Sequence, residues 1–225
     1  MQALLFGSIG TIVETSELQH RAFNLAFDIH ELDWHWDRES YEEMLKVSGG
    51  VRRIMAYAAR QNTVVDAQAV HATKTGIFLD LLRNGQTDIR PGVVDLLKRA
   101  KADGCKTGFV SGTEQATIDI IIALLRDAGV PDFDVVTSRA LNVAEKPDPA
   151  LYVAALSHLG IAAGQALAIE DNVDGVAAAK AAGLSVIGSP GTYTQASDLG
   201  NADVVTDDLY ASVAERLGTM AGFEA

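Results

Sequence analysis

Several places in this chain hold residue types that could handle an anion. An apolar run, Thr107-Gly108-Phe109-Val110, ends in Ser111-Gly112-Thr113. A hydroxyl and backbone N–H groups at a strand-to-helix turn form a small anion nest. Lys146 supplies a cation within Glu145-Lys146-Pro147-Asp148-Pro149. Glu170-Asp171 closes the apolar run Ala166–Ile169 and precedes a Gly/Ala-rich stretch. An acidic pair there is favoured at a helix N-terminus by the macrodipole. The first apolar run, Leu4-Leu5-Phe6, enters Gly7-Ser8-Ile9-Gly10-Thr11, a strand-loop frame of the phosphate-handling kind. Yet Gly7 has no side chain and Ile9 has no ionisable group.

The elements that must position these groups alternate. Short β-like runs fall at Leu4–Phe6, Gly108–Ser111, Val135–Thr137, Ala166–Ile169, Ser185–Gly188 and Asp203–Val205. Helical runs lie at Val93–Ala102, Gln115–Arg126, Ala150–Leu159 and Val173–Ala181. Such alternation predicts an α/β fold with a doubly wound parallel sheet. Ligands of such sheets bind at the carboxyl ends of the strands. Gly7, Ser111, Lys146, Glu170 and Asp171 would share that edge. Residues 16–85 break the alternation. Ser16-x-x-Gln19 has the form of a capping box, and Leu18, Ala22, Leu25, Ala26 and Ile29 recur at helical spacing. Helical pattern continues through Tyr41–Lys46, Val51–Arg60 and Ala67–Leu82. The expected organisation is a core of residues 1–15 and 86–225, with a small helical cap domain at 16–85.

In this order and at these separations the motifs resemble the haloacid dehalogenase (HAD) superfamily. The resemblance spans nearly the whole chain and implies a Rossmannoid core with an inserted helical cap. The first family motif reads Phe-Asp-x-Asp-Gly-Thr-Leu, and Gly7 and Ile9 fall at its two aspartates. The resemblance implies a phosphatase in which the first Asp forms an aspartyl-phosphate. Mg²⁺ orients the phosphate, and the second Asp acts as general acid and base. It further implies phosphate contacts from Ser111, Gly112 and Lys146, and metal contacts from Asp171 and Glu170. With no carboxylate at 7 or 9, the expected catalytic set is empty and the Mg²⁺ site weakened. Strand alternation is expected to point Ser8 away from the vacated positions, and Glu14 lies too far along the chain. Lys146 could receive an anion without metal, or collapse onto Asp171 as an ion pair.

A narrower resemblance is to the CbbY-type and β-phosphoglucomutase-like sugar-phosphate phosphatases. It rests on Glu17-Leu18-Gln19-His20-Arg21-Ala22-Phe23-Asn24, Asp33-Trp34-His35-Trp36-Asp37 and Gly49-Gly50. Glu17, His20, Arg53 and Lys74 fall where cap residues of that branch touch substrate. Val51 departs from the pattern, where a Lys is usual. Other readings of the cap residues stay open. His20 fits a helix-face histidine equally well, Trp34 and Trp36 read as cap packing, and His71 and Lys74 share a face expected to be solvated.

At 225 residues the chain suffices for one core plus a small second domain. It is 48% apolar and 21% charged, like an ordinary globular protein. A formal charge of −12 argues against nucleic acid or an anionic membrane as partner. One cysteine, Cys105, excludes an internal disulfide. No apolar run has transmembrane length and the N-terminus lacks a basic signal-peptide start, so a cytoplasmic protein is expected. Three functions compete: a non-catalytic binder of a phosphorylated small molecule or protein partner, a Mg²⁺-dependent hydrolase with a non-standard nucleophile, and a closed scaffold.

Overall fold

The computed structural model describes residues 1–46, 49–85 and 87–218. Among them the chain divides into two compact units, Met1–Glu14 with Asp88–Ala225, and Thr15–Thr87.

The first unit is built on six strands: β1 Ala3–Phe6, β2 Lys106–Val110, β3 Val135–Thr137, β4 Ala166–Glu170, β5 Ser185–Gly188 and β6 Val204–Val205. Their order is β3-β2-β1-β4-β5-β6, and all pairings are parallel. β1 is central, with Phe6 level with Phe109 on one side and Ile169 on the other. Side chains alternate across this strand. Leu4 and Phe6 enter one buried layer, Ala3 and Leu5 the other.

The helices of the whole chain, in order, are α1 Ser16–Ile29, α2 Arg38–Leu45, α3 Gly50–Arg60, α4 Ala67–Arg83, α5 Val93–Ala102, α6 Gln115–Asp127, α7 Ala150–Leu159, α8 Val173–Ala181 and α9 Leu209–Gly218. Helices α5, α6 and α9 cover the Leu4/Phe6 face through Leu96, Ile121 and Val213. Helices α7 and α8 cover the opposite face through Tyr152, Ala155, Val176 and Ala179. A sheet buried on both faces explains why its strands are nearly continuous apolar runs. The chain leaves β1 toward β2 on one side and reaches β4 on the other. The strand order therefore reverses at β1/β4, where α/β sheets open a crevice. Gly7 continues the ladder by one bond, donating its N–H to Ile169 O at 2.9 Å.

The second unit holds α1–α4. Its interior is aromatic: Phe27 and Trp36 meet edge-on with ring centres 4.7 Å apart, and Trp34 and Tyr57 edge-on at 5.2 Å. Trp34 and Trp36 are buried in this packing. The capping-box expectation fails. Thr15, not Ser16, stands at the N-cap of α1, without a side-chain cap bond. The side chain of Gln19 instead accepts from Lys74.

Candidate functional site

At the carboxyl end of β1, β2 and β4 the groups named from sequence come together. β4 ends in Glu170, whose side chain is fully buried. Its Oε1 accepts from the Tyr152 hydroxyl at 2.6 Å and from Lys146 Nζ at 2.5 Å. Lys146 also donates to Val110 O at 3.0 Å and to Gly7 O, and its ammonium sits 4.7 Å from the Tyr152 ring centre. One carboxylate, one ammonium, one phenol and two strand-end carbonyls thus form a closed cluster. Burial pushes the Glu170 carboxyl above its ordinary value, opposed by the Lys146 charge. Burial, with Glu170 beside it, pushes the Tyr152 hydroxyl well up.

Two glycines make room for this cluster. A Cβ at Gly7 would overlap Glu170 Oε1 and the Tyr152 hydroxyl, and a Cβ at Gly175 would overlap the Glu170 carboxylate from the helix side. The carboxylate therefore lies in a slot that neither wall could narrow. Its second oxygen, Oε2, is buried with no hydrogen-bond partner among the described residues.

Asp171 is held differently. Its Oδ1 accepts from Ser8 Oγ at 2.6 Å and from Asn172 Nδ2 at 2.8 Å. A Cβ at Gly10 would overlap Oδ2. Asn172 caps α8 by accepting from Gly175 N–H at 2.8 Å. One expectation is corrected here. Lys146 pairs with Glu170, not Asp171, because Lys146 already lies between the ends of β1 and β2, on the side of Oε1. Ser8 lies beyond the end of β1 at Phe6, and its hydroxyl turns to Asp171. Ile9 packs partly buried against the Leu4/Phe6 core layer.

Ser111 is buried, and its hydroxyl accepts from Thr113 N–H at 3.2 Å. Thr137 donates to Ser111 O at 3.0 Å, fixing the turn. Gly112 follows it at the start of the turn, its carbonyl accepting from Arg139 Nε at 3.4 Å. Arg90 ties neighbouring loops together, donating to Gly10 O, Ser189 O, Ser189 Oγ and Pro190 O at 2.7–3.0 Å. Tyr152, Gly175 and Arg90 escaped the sequence reading. Tyr152 carried a signal, a phenol in the first turns of the helix that follows the Lys146 loop. Gly175 carried none beyond its place three residues after an N-cap.

Within the helical unit, His20 Nε2 lies 2.6 Å from Trp36 O, and its ring stacks on Tyr41 at 4.8 Å. Asn24 brackets the same residue, donating to Trp36 O and accepting from Trp36 N–H, each at 2.9 Å. Glu17 is exposed in the first turn of α1. Arg53 donates to Met44 O at 3.1 Å and lies over the rings of Tyr41 and Phe23. Lys74 is not on a solvated face: it is 6% exposed, over Phe23 and Phe78. Apolar residues on both sides of α4 draw it in. Burial, with Arg53 beside it, lowers the Lys74 ammonium to about 7.

The sequence matches the model of the haloacid dehalogenase-like hydrolases over residues 1–183. The chain belongs to that family. Among its relatives is protein CbbY of Cereibacter sphaeroides, 36% identical over 228 residues that cover 100% of this chain and 97% of the relative. CbbY from Rhodobacter sphaeroides in complex with phosphate superposes with a TM-score of 0.81 at 34% identity, covering 93% of this chain and 95% of that one. A mutant of the same protein in complex with xylulose-(1,5)bisphosphate gives a TM-score of 0.81 at 33% identity, with 93% and 95% covered. The chain thus lies in the CbbY-like branch of the HAD superfamily.

HAD hydrolases typically use Mg²⁺, so the site's fit to that ion matters. Mg²⁺ takes near-octahedral oxygen ligands, commonly one or two carboxylates plus water and phosphate. Here Glu170 Oε1 is already occupied by an ammonium and a phenol, and Asp171 Oδ1 by a hydroxyl and an amide. Among the described residues no group of three or more His, Cys, Asp or Glu side chains is placed to hold a metal. As arranged, Glu170 does not fit Mg²⁺, because a cation entering beside it would meet the Lys146 ammonium.

Proposed function

We propose that this chain is a CbbY-branch protein that binds a phosphorylated sugar without hydrolysing it. Gly7 and Ile9 stand where the family carries its nucleophile and acid/base aspartates. The observation that carries the reading is the slot at Gly7. The space a residue-7 side chain would need holds the Glu170 carboxylate, fixed by Tyr152 and Lys146. Glu170 itself is a poor substitute nucleophile, being fully buried and pushed toward its neutral form.

Each unit carries anion-receptive groups of its own. In the core these are Ser111, Gly112 and Lys146, the last once Glu170 gives way. In the helical unit they are Arg53 and Lys74, two cations that share the Phe23 ring, with Glu17 and His20 for sugar hydroxyls. The buried Lys74 ammonium and the half-buried Arg53 beside it repel, and an incoming phosphate relieves that repulsion. Xylulose-(1,5)bisphosphate, bound by the related CbbY mutant, has the matching chemistry. Asp171 and Glu170 serve here as structural acids, so binding proceeds without Mg²⁺.

Calorimetric titration with xylulose-(1,5)bisphosphate in EDTA and then in Mg²⁺ tests this. Equal binding in both is expected. Binding only with Mg²⁺ would restore the metal site, and no binding in either would favour a closed scaffold, the reading that the Lys146–Glu170 pair itself supports.

A further inference from the structure

Lys74 combines features that make a lysine amine reactive. Its ammonium is buried in α4 over the faces of Phe23 and Phe78, with centroid distances of 4.8 and 5.0 Å. Among the described residues it has no carboxylate partner, and its hydrogen bond goes to the amide oxygen of Gln19. Arg53 adds a second positive charge, with its guanidinium carbon 5.7 Å from the same Phe23 ring centre. Desolvation and a neighbouring cation are the two environments that turn a lysine into a nucleophile at neutral pH. The ring faces favour the ammonium, but they replace only part of its lost hydration.

We propose that Lys74 captures a phosphorylated aldehyde or ketone as a Schiff base, with Arg53 holding the phosphate. This rests on the reading that the helical unit receives a phosphorylated sugar, and it names the carbonyl form of that ligand. The neutral Nζ adds to the carbonyl carbon, and the π pair moves to oxygen, which takes up a proton. The resulting carbinolamine loses water as the C=N bond forms. The step needs no oxidant or metal and is reversible. The lowering of Lys74 to about 7 is consistent with it, since roughly half the amine is then neutral at pH 7.

Treating the whole protein with glycolaldehyde phosphate and sodium borohydride, followed by peptide mass spectrometry, tests this. Lys74 is expected to carry the reduced adduct at least about tenfold faster than the exposed Lys98 and Lys106. The Lys74→Arg variant is expected to lose that adduct and keep the slow ones. Labelling confined to Lys98 and Lys106 would overturn the proposal. Unphosphorylated glycolaldehyde separates the two readings. If it labels Lys74 as fast as the phosphate ester, the amine chemistry stands and the phosphate reading falls. If neither aldehyde labels Lys74, the amine chemistry falls, while phosphorylated-sugar binding is still decided by calorimetry.

Discussion

Gly7 and Glu170 share one volume. A Cβ at residue 7 would overlap the Glu170 Oε1 that accepts from Tyr152 and Lys146. A side chain at one position therefore excludes the present rotamer at the other. The absence of a side chain at Gly7 and the closure of the Lys146 cluster are thus one structural arrangement.

The shared volume predicts energetic coupling. Gly7→Ala is expected to destabilise by about 1–3 kcal/mol through overpacking. Glu170→Ala opens the slot, so the double variant should be more stable than the sum of the singles by roughly 1 kcal/mol. Urea unfolding of the four proteins measures the coupling, and additive effects would contradict it.

Lys146→Met removes the cation from a pair in which Glu170 is fully buried and Lys146 is 13% exposed. Breaking a buried pair at one end costs about 3–5 kcal/mol. Protonation of Glu170 offsets part of this. Burial raises its folded pKa above the unfolded value, so its stabilising contribution is full below the unfolded value near 4.5 and fades as pH rises through the folded one. The variant should lose more stability at pH 8 than at pH 5. Equal losses at both would show that Glu170 holds no proton there.

Glu170 also competes with any external anion for Lys146. Glu170→Gln keeps the shape and removes the charge. Inorganic phosphate is expected to bind this variant about tenfold more tightly, a gain of ~1.4 kcal/mol. Unchanged or weaker phosphate binding by calorimetry would show that Lys146 is not the receptor.

Lys74 gives the helical unit its own pH signature. Its folded value is lowered from 10.5 to about 7, so between these the unfolded chain binds more protons than the folded one. Stability then rises with pH across that window. Lys74→Met should flatten the rise, which thermal unfolding at pH 7 and 9 of wild type and variant measures. Parallel curves would contradict the shift.

Much of the fold was legible because both faces of the sheet are covered, which leaves β1, β2 and β4 as plain apolar runs between amphipathic helices. Side-chain directions just past a strand end were less legible: Ser8 lies beyond β1, and no alternation fixes its turn to Asp171. Proximity of Ser111, Lys146 and Glu170 followed from the rule for strand carboxyl ends, but their pairing did not. Which carboxylate Lys146 meets depends on side-chain packing at Tyr152 and Gly175, and no spacing encodes that. Lys74 was misread because α4 carries apolar residues on more than one face, so periodicity could not separate its buried side from its wet one.

The most direct test is phosphate release from xylulose-(1,5)bisphosphate under single-turnover conditions with Mg²⁺, with bound ligand quantified in the same sample. The account predicts bound bisphosphate and no phosphate above the enzyme-free control. Release that follows the protein concentration, and is lost on changing Lys146 or Asp171, would contradict it and require another group that attacks phosphorus.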